Sequence, residues 1–239
     1  MKVATIIPAA GLGTRMGRME PEKFGTSRKQ FMLLDGSPIL LHTIRKFLAC
    51  DLIAEMVVAL RLEDIAWVGD LLKQEGFSKP VRLVEGGDAR QQSVDNALAA
   101  VSTDTDLVAV HDAVRPFIEE ATLESVIHEA AKTGAAIVGI VPVDTVKQIR
   151  LSKVHATIPR ERLILAQTPQ VFRYSLLLEA SRKAREDGFV ATDESSLVER
   201  LEQVEVSVVL GSDRNIKITK PSDMELARLF LSEGIAKIS

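Results

Sequence analysis

This chain has almost no cysteine, no surplus of positive charge and no long apolar run. One cysteine, Cys50, in 239 residues rules out a disulfide framework within the chain and fits a reducing compartment. Cys50 closes the apolar run that starts at Ile44, and so reads as a packed thiol rather than a nucleophile. A formal net charge of −3 argues against a nucleic-acid binder with a broad basic face, so any basic cluster is local. No window approaches the ~18 apolar residues of a membrane span. The stretch from Val3 to Pro8 is too short for the apolar segment of a signal peptide. The expected location is the cytoplasm, with neither a membrane nor a nucleic acid as partner. Repeats, low-complexity tracts and linkers are missing as well. One domain is expected over residues 1–239, and with 46% hydrophobic residues it is large enough to bury a core.

Two familiar phosphate motifs are also missing. A dinucleotide fingerprint needs a third glycine or alanine where Met16 stands, and a P-loop needs Gly-Lys-Ser/Thr, which does not follow.

What is present is an alternation of short β-branched runs with longer periodic ones. Strands are expected at Val3 to Ile7, Met56 to Leu60, Val81 to Val84, Leu107 to Val110 and Ala135 to Val141. Helices are expected at Pro38 to Cys50 with Ser37 as N-cap, Glu63 to Glu75 stopped at Gly76, Arg90 to Val101, and Thr122 to Thr133 stopped at Gly134. Strands apolar on both faces that alternate with helices indicate an α/β fold, a mostly parallel sheet with helices on both faces. The alternation breaks at Thr145 to Ile158, which reads as an antiparallel hairpin or projecting β-arm, at about residues 142–166. Helical patterning returns at Tyr174 to Asp187 and Asp193 to Glu202. Val206 to Leu210 and Ile216 to Thr219 read as short strands, and Ser222-Asp223-Met224-Glu225 as the capping box of a last helix.

Residues suited to phosphate chemistry sit at expected strand ends. Pro8-Ala9-Ala10-Gly11-Leu12-Gly13-Thr14-Arg15-Met16-Gly17 follows the first strand, and its small residues let backbone N–H groups approach an anion. A tight turn with incidental glycines explains that loop about as well. Arg15 adds a fixed cationic fork. Lys29, and in competition Lys23, is placed to neutralise triphosphate charge. Asp112 ends an apolar strand and suits a Mg²⁺ that carries phosphate oxygens, although capping a turn is the plainer role. His111 is expected on the opposite face, with no role. Gly86-Gly87-Asp88 permits close approach of a flat base or ribose. Asp193 fits ordinary helix capping. Lys217, on a short extended segment between two isoleucines, would need an anion beside it if it faced a crevice.

Taken in order, these segments resemble the 2-C-methyl-D-erythritol 4-phosphate cytidylyltransferase family. The likeness runs through Pro8-Ala9-Ala10-Gly11 with Gly13, Arg15 and Met16, Lys29-Gln30, Gly86-Gly87-Asp88 with Arg90 and Ser93, and His111-Asp112-Ala113-Val114-Arg115-Pro116. It continues through Thr168-Pro169-Gln170, Thr192-Asp193-Glu194 and Asn215-Ile216-Lys217-Ile218-Thr219. The resemblance implies a Rossmann-like nucleotidyltransferase fold, Mg²⁺, and a homodimer. It implies that Ala9, Ala10, Gly11 and Gly13 line the nucleotide, with Gly87, Asp88 and Ser93 near the cytosine and ribose of CTP. Arg15, Lys29 and Lys217 would surround the reacting phosphates. Asp112 would bind the metal, supported by Arg115, and Thr192 would touch a small polyol phosphate acceptor. The arm would bring Thr145 and Arg160 to the partner's acceptor site. The segment from Gly17 to Arg28 is longer than the family's usual spacing, which leaves Lys23 and Lys29 both open, with Lys29 preferred because Gln30-Phe31 follows it. A cytidylyltransferase for another polyol phosphate such as ribitol 5-phosphate, a uridylyl- or guanylyltransferase, and a non-catalytic nucleotide-binding module are the competing readings.

Overall fold

The structure is a computed structural model that describes residues 1–11 and 28–234. Its centre is a seven-stranded sheet. In sheet order the strands are β11 (Ser207–Leu210), β7 (Ala135–Ile140), β10 (Leu165–Arg173), β6 (Leu107–Val110), β1 (Val3–Pro8), β4 (Ile53–Leu60) and β5 (Val81–Glu85). All neighbours pair in parallel except β10, which runs antiparallel to both β6 and β7.

Alternation along each strand feeds two cores. Val3 and Ile7 of β1 and Ala109 of β6 face one layer. There they meet Ile44 and Phe47 of α1 (Ile39–Ala49), Val68 of α2 (Leu62–Glu75) and Val126 of α4 (Glu120–Thr133). Ala4, Ile6, Val108 and Val110 face the other layer. They meet Val94 and Ala97 of α3 (Arg90–Leu98), Leu177 of α5 (Tyr174–Glu186) and Leu197 of α6 (Glu194–Glu199). A third cluster seats α7 (Pro221–Ser232) through Met224 and Ala227 against Met32, Phe117 and Ile218. Cys50 is buried in the first core, and burial pushes its thiol pKa up, as expected for a packing residue.

The parallel units match the expected ones, and α2 and α4 end on Gly76 (φ 64°) and Gly134 (φ 97°), both left-handed. Four local expectations are corrected. Ser37 does not cap α1. It pairs with Leu34 in a short hairpin, β2 (Leu33–Leu34) and β3 (Ser37–Pro38), turned by Asp35-Gly36 at positive φ. Asp-Gly is a strong turn signal that the sequence reading passed over. Ile216 to Thr219 forms no ladder; Ile218 N–H reaches Val114 O alone (2.9 Å). The last helix is capped two residues earlier than Ser222. Lys220 stands at the N-cap, and Asp223 Oδ2 accepts from the backbone N–H groups of Thr219 and Lys220 at 2.8 and 3.0 Å. The fourth is β10, a central strand over a stretch to which the sequence pattern assigns no element beyond the end of the arm.

Between β7 and β10 the chain leaves the body as a two-stranded arm, β8 (Val146–Arg150) and β9 (Lys153–Ile158), as expected. Ile149, Leu151 and Val154 on it are exposed. Among the described residues, no helix is long and apolar enough to cross a membrane.

Candidate functional site

The site lies where ligands of open parallel sheets bind, beyond the carboxyl ends of the strands. Two adjoining hollows open there. The first is lined by Ala9, Ala10, Gly11, Lys29, Gly87, Asp88, Ser93, Asp112 and Lys217 among others. The second is lined by Arg115, Thr168, Gln170 and Thr192, and shares Arg90, Asp112 and Lys217 with the first.

Each wall has a local cause. β1 delivers Ala9 and Gly11, whose carbonyls accept from the buried Gln30 amide at 2.8 and 3.0 Å. Gln30 thereby ties the start of the glycine-rich loop to the short 3₁₀ turn (Lys29–Phe31) that carries Lys29. That turn is braced from α2. Arg28 pairs with the buried Asp64 (2.5 Å), and Phe31 meets Trp67 edge-on at 5.0 Å. On the other side, the Ser93 hydroxyl accepts from Gly87 N–H (3.1 Å) and so folds Gly86-Gly87-Asp88 over the start of α3. Gly86 is packed so closely that a Cβ there would lie 2.5 Å from Ala10 Cβ and 2.9 Å from Ser93 Oγ. Only a bare Cα lets these two walls meet.

The floor is charged. The Asp112 carboxylate, at the end of β6, meets Lys217 Nζ at 2.8 Å, Arg115 Nε at 3.3 Å and Arg90 Nε at 3.4 Å. Burial pushes its pKa up, yet Lys217, Arg90 and Arg115 together hold the carboxyl well below the usual range, so Asp112 is an anion. Arg90 donates Nη1 and Nη2 to both oxygens of Glu194, at 2.6 and 2.9 Å. Burial lowers the pKa of Arg90, but Glu194 and Asp112 outweigh it and raise the value. Burial raises that of Glu194 against the pull of Arg90. His111 is fully buried, with Nε2 on Arg115 O (2.9 Å) and its ring against Phe47, and burial lowers its pKa to about 4. It is neutral and turned from the cleft, as expected.

The antiparallel β10 supplies the other wall. Thr168 Oγ1 accepts from Asp112 N–H (3.1 Å), and Asn215 Nδ2 donates to Thr168 O (2.9 Å). Arg115 Nη1 reaches Asn215 O (2.7 Å). Gln170 Oε1 accepts from the backbone N–H groups of Glu194 and Ser195 at 3.1 and 3.0 Å, and its Nε2 donates to Asp193 (2.8 Å). Asp193 caps α6 through Ser196 N–H (3.2 Å).

Nine of the sequence-derived site residues therefore line one cleft: Ala9, Ala10, Gly11, Lys29, Gly87, Asp88, Ser93, Asp112 and Lys217. Arg115 and Thr192 line its neighbour. The anion that Lys217 needed is Asp112. Thr145 and Arg160 lie exposed at the base of the arm and line neither hollow. Gly13, Arg15 and Lys23 lie outside the described residues. The sequence reading missed the roles of Arg90 and Glu194. A charge immediately after a capping Asp was the available sign, and ordinary capping masked it. Among the described residues no three His, Cys, Asp or Glu side chains gather as a metal site. The single carboxylate Asp112 suits Mg²⁺ only where most ligands come from phosphate and water.

A sequence profile of the family described as 2-C-methyl-D-erythritol 4-phosphate cytidylyltransferase matches residues 3–233. The protein of that name from Solibacter usitatus is 63% identical over 99% of this chain and 98% of its own length. The one from Acidobacterium capsulatum is 49% identical over 98% of each. The crystal structure of 4-diphosphocytidyl-2C-methyl-D-erythritol synthase from Anaerococcus prevotii superposes with a TM-score of 0.83 at 31% identity, covering 96% of both chains. That of the Thermus thermophilus cytidylyltransferase gives 0.76 at 32% identity, covering 97% of this chain and 100% of the other. With its convergent cations and these full-length matches, the chain belongs to the 2-C-methyl-D-erythritol 4-phosphate cytidylyltransferase family.

Proposed function

We propose that this protein transfers the cytidylyl group of CTP to 2-C-methyl-D-erythritol 4-phosphate, releasing pyrophosphate and 4-diphosphocytidyl-2-C-methyl-D-erythritol in the non-mevalonate route to isoprenoids. One observation carries the reading: Lys217, Arg90 and Arg115 converge on Asp112 where the two hollows join. The base and ribose of CTP occupy the side of Ala9, Gly11, Gly87, Asp88 and Ser93. The acceptor occupies the side of Arg115 and Thr192.

An oxygen of the acceptor phosphate attacks the α-phosphorus. That P–O bond forms as the bond to the β-phosphate breaks, and pyrophosphate leaves in line with no covalent enzyme intermediate. The nucleophile is already anionic at neutral pH, so a general base adds little. The obstacle is the approach of two polyanions, and positioning with charge stabilisation dominates. Lys217 exchanges Asp112 for the acceptor phosphate and steers it, while Lys29 and Arg15 take charge that develops on the α-phosphate and the leaving group. Asp112 would hold a bound Mg²⁺ by exchanging a cation for it, and the ion would supply neutralisation of the triphosphate.

The exposed apolar residues Ile149, Leu151 and Val154 support a homodimer built through the arm, which carries Thr145 and Arg160 to the partner's acceptor hollow in the cytoplasmic enzyme. Pyrophosphate release with CTP, Mg²⁺ and methylerythritol phosphate tests the reaction, with ribitol 5-phosphate and the other nucleoside triphosphates as the contrasting panel. Faster turnover with ribitol 5-phosphate, or no release with any acceptor, overturns it.

A further inference from the structure

We infer that Glu194 is a positioning residue for this reaction: it locks the Arg90 guanidinium out of the phosphate site and leaves Lys217 as the exchangeable cation. The inference rests on the reaction given above. Glu194 is only 1% exposed and reaches neither hollow. Its place is set from both sides. Its backbone N–H is held by Gln170 of β10, and it opens α6 directly after the capping Asp193.

Arg90 stands between the nucleotide and acceptor hollows and lines both. A guanidinium in that place is a strong trap for phosphate, because its fork matches two phosphate oxygens. Here the fork is already filled. Nη1 and Nη2 face the two oxygens of Glu194, and Nε faces Asp112 Oδ1. For Arg90 to turn to a phosphate, a buried carboxylate would lose its partner, which is strongly unfavourable. Lys217 has no such clamp. It meets only Oδ2 of Asp112, and what separates it from Arg90 is this single contact rather than exposure, which is 29% for Arg90 and 30% for Lys217. Glu194 thereby separates two kinds of cation. Arg90 is fixed and orients Asp112 from the Oδ1 side, and Lys217 is left to move to the incoming phosphate.

Removing the charge of Glu194 frees the fork of Arg90 to grip the acceptor phosphate, or the triphosphate, in an unproductive pose. The expected signature of Glu194→Gln is a fall in kcat of roughly tenfold or more with the acceptor KM unchanged or lower. A merely loosened site raises KM instead. Glu194→Asp keeps the charge but is one methylene short of the two-point contact, and falls between Gln and the natural residue. Wild-type kcat in folded Glu194→Gln overturns the inference, as does a raised acceptor KM at unchanged kcat. Should Glu194→Gln not fold, Arg90→Gln is compared with Arg90→Gln/Glu194→Gln, in which neither charge remains. If Glu194 acts through Arg90, the two differ by less than about twofold in kcat; a further tenfold loss in the double variant overturns the inference. A wild-type enzyme that releases no pyrophosphate from CTP and methylerythritol phosphate sinks the proposed reaction instead, which keeps the two failures apart.

Discussion

Removing the Lys217 ammonium, as in Lys217→Ala, tests the charge logic of the floor most directly. Among Arg90, Arg115, Lys217, Asp112 and Glu194, three cations face two carboxylates, so the cluster carries one net positive charge. The substitution takes that to zero just where the acceptor phosphate must sit. At an effective dielectric constant of 20, one unit charge at 4 Å is worth ~4 kcal/mol, and the 30% exposure of the Lys217 side chain reduces this by solvent screening. Loss of one preorganised donor in a comparable site costs ~3–4 kcal/mol, or about 10²–10³ in turnover. The two estimates agree, and kcat/KM for the acceptor should fall by two to three orders of magnitude. Asp112 keeps both arginines, so its burial stays compensated and the fold should survive with little change in melting temperature. Steady-state pyrophosphate release, with CTP saturating and the acceptor varied, reads the effect, and the melting curve certifies the fold. A folded Lys217→Ala enzyme within threefold of the natural kcat/KM would refute the reasoning, because the ammonium would then not be facing a reacting phosphate.

Four further outcomes are expected. Arg15→Ala and Lys29→Ala should each lower turnover by about 10²–10³ with the fold intact, and a larger loss in Lys23→Ala than in Lys29→Ala would give the loop role to Lys23. Gly86→Ala drives a methyl into Ala10 and Ser93, so the CTP KM should rise and stability fall by ~1–3 kcal/mol, read by varied-CTP kinetics and thermal melting. The folded-state pKa of Asp112 is depressed, so its contribution to stability is complete above the unfolded value of about 4 and is lost as pH falls towards the folded value; the stability gap between the natural chain and Asp112→Asn, from denaturant titrations, should be constant above about pH 5 and narrow below 4. If the arm serves the partner, mixing Arg160→Ala with Lys217→Ala subunits should restore activity that each homodimer lacks, because one of the two acceptor sites then has both groups.

Most of the parallel units were legible because their strands are buried on both faces, and so read as unbroken apolar runs. The same logic hid β10. Its buried stretch contains Gln167, Thr168, Pro169 and Gln170, a polar series that reads as loop. Those side chains are buried because they have partners: Asn215 bonds Gln167 and Thr168, and Gln170 bonds the start of α6. Polar satisfaction of this kind lies between distant segments and leaves no local pattern. For the same reason the fold of the site was only half visible. Gly11 and Asp112 stand out by residue type beyond strand ends and Lys217 by its place between two isoleucines, whereas the Arg90–Glu194 pair spans 104 residues and looks like two solvated charges. Ile216 to Thr219 shows the converse: a strand-like alternation with one backbone bond to Val114 and no neighbour strand to complete it.

The brace that α2 lends to the Lys29 turn has a practical side. Trp67 is the only tryptophan in the chain, and its indole touches Phe31, two positions beyond Lys29. Its emission is a built-in optical probe of the nucleotide cleft's rim, readable in the natural protein with no dye attached.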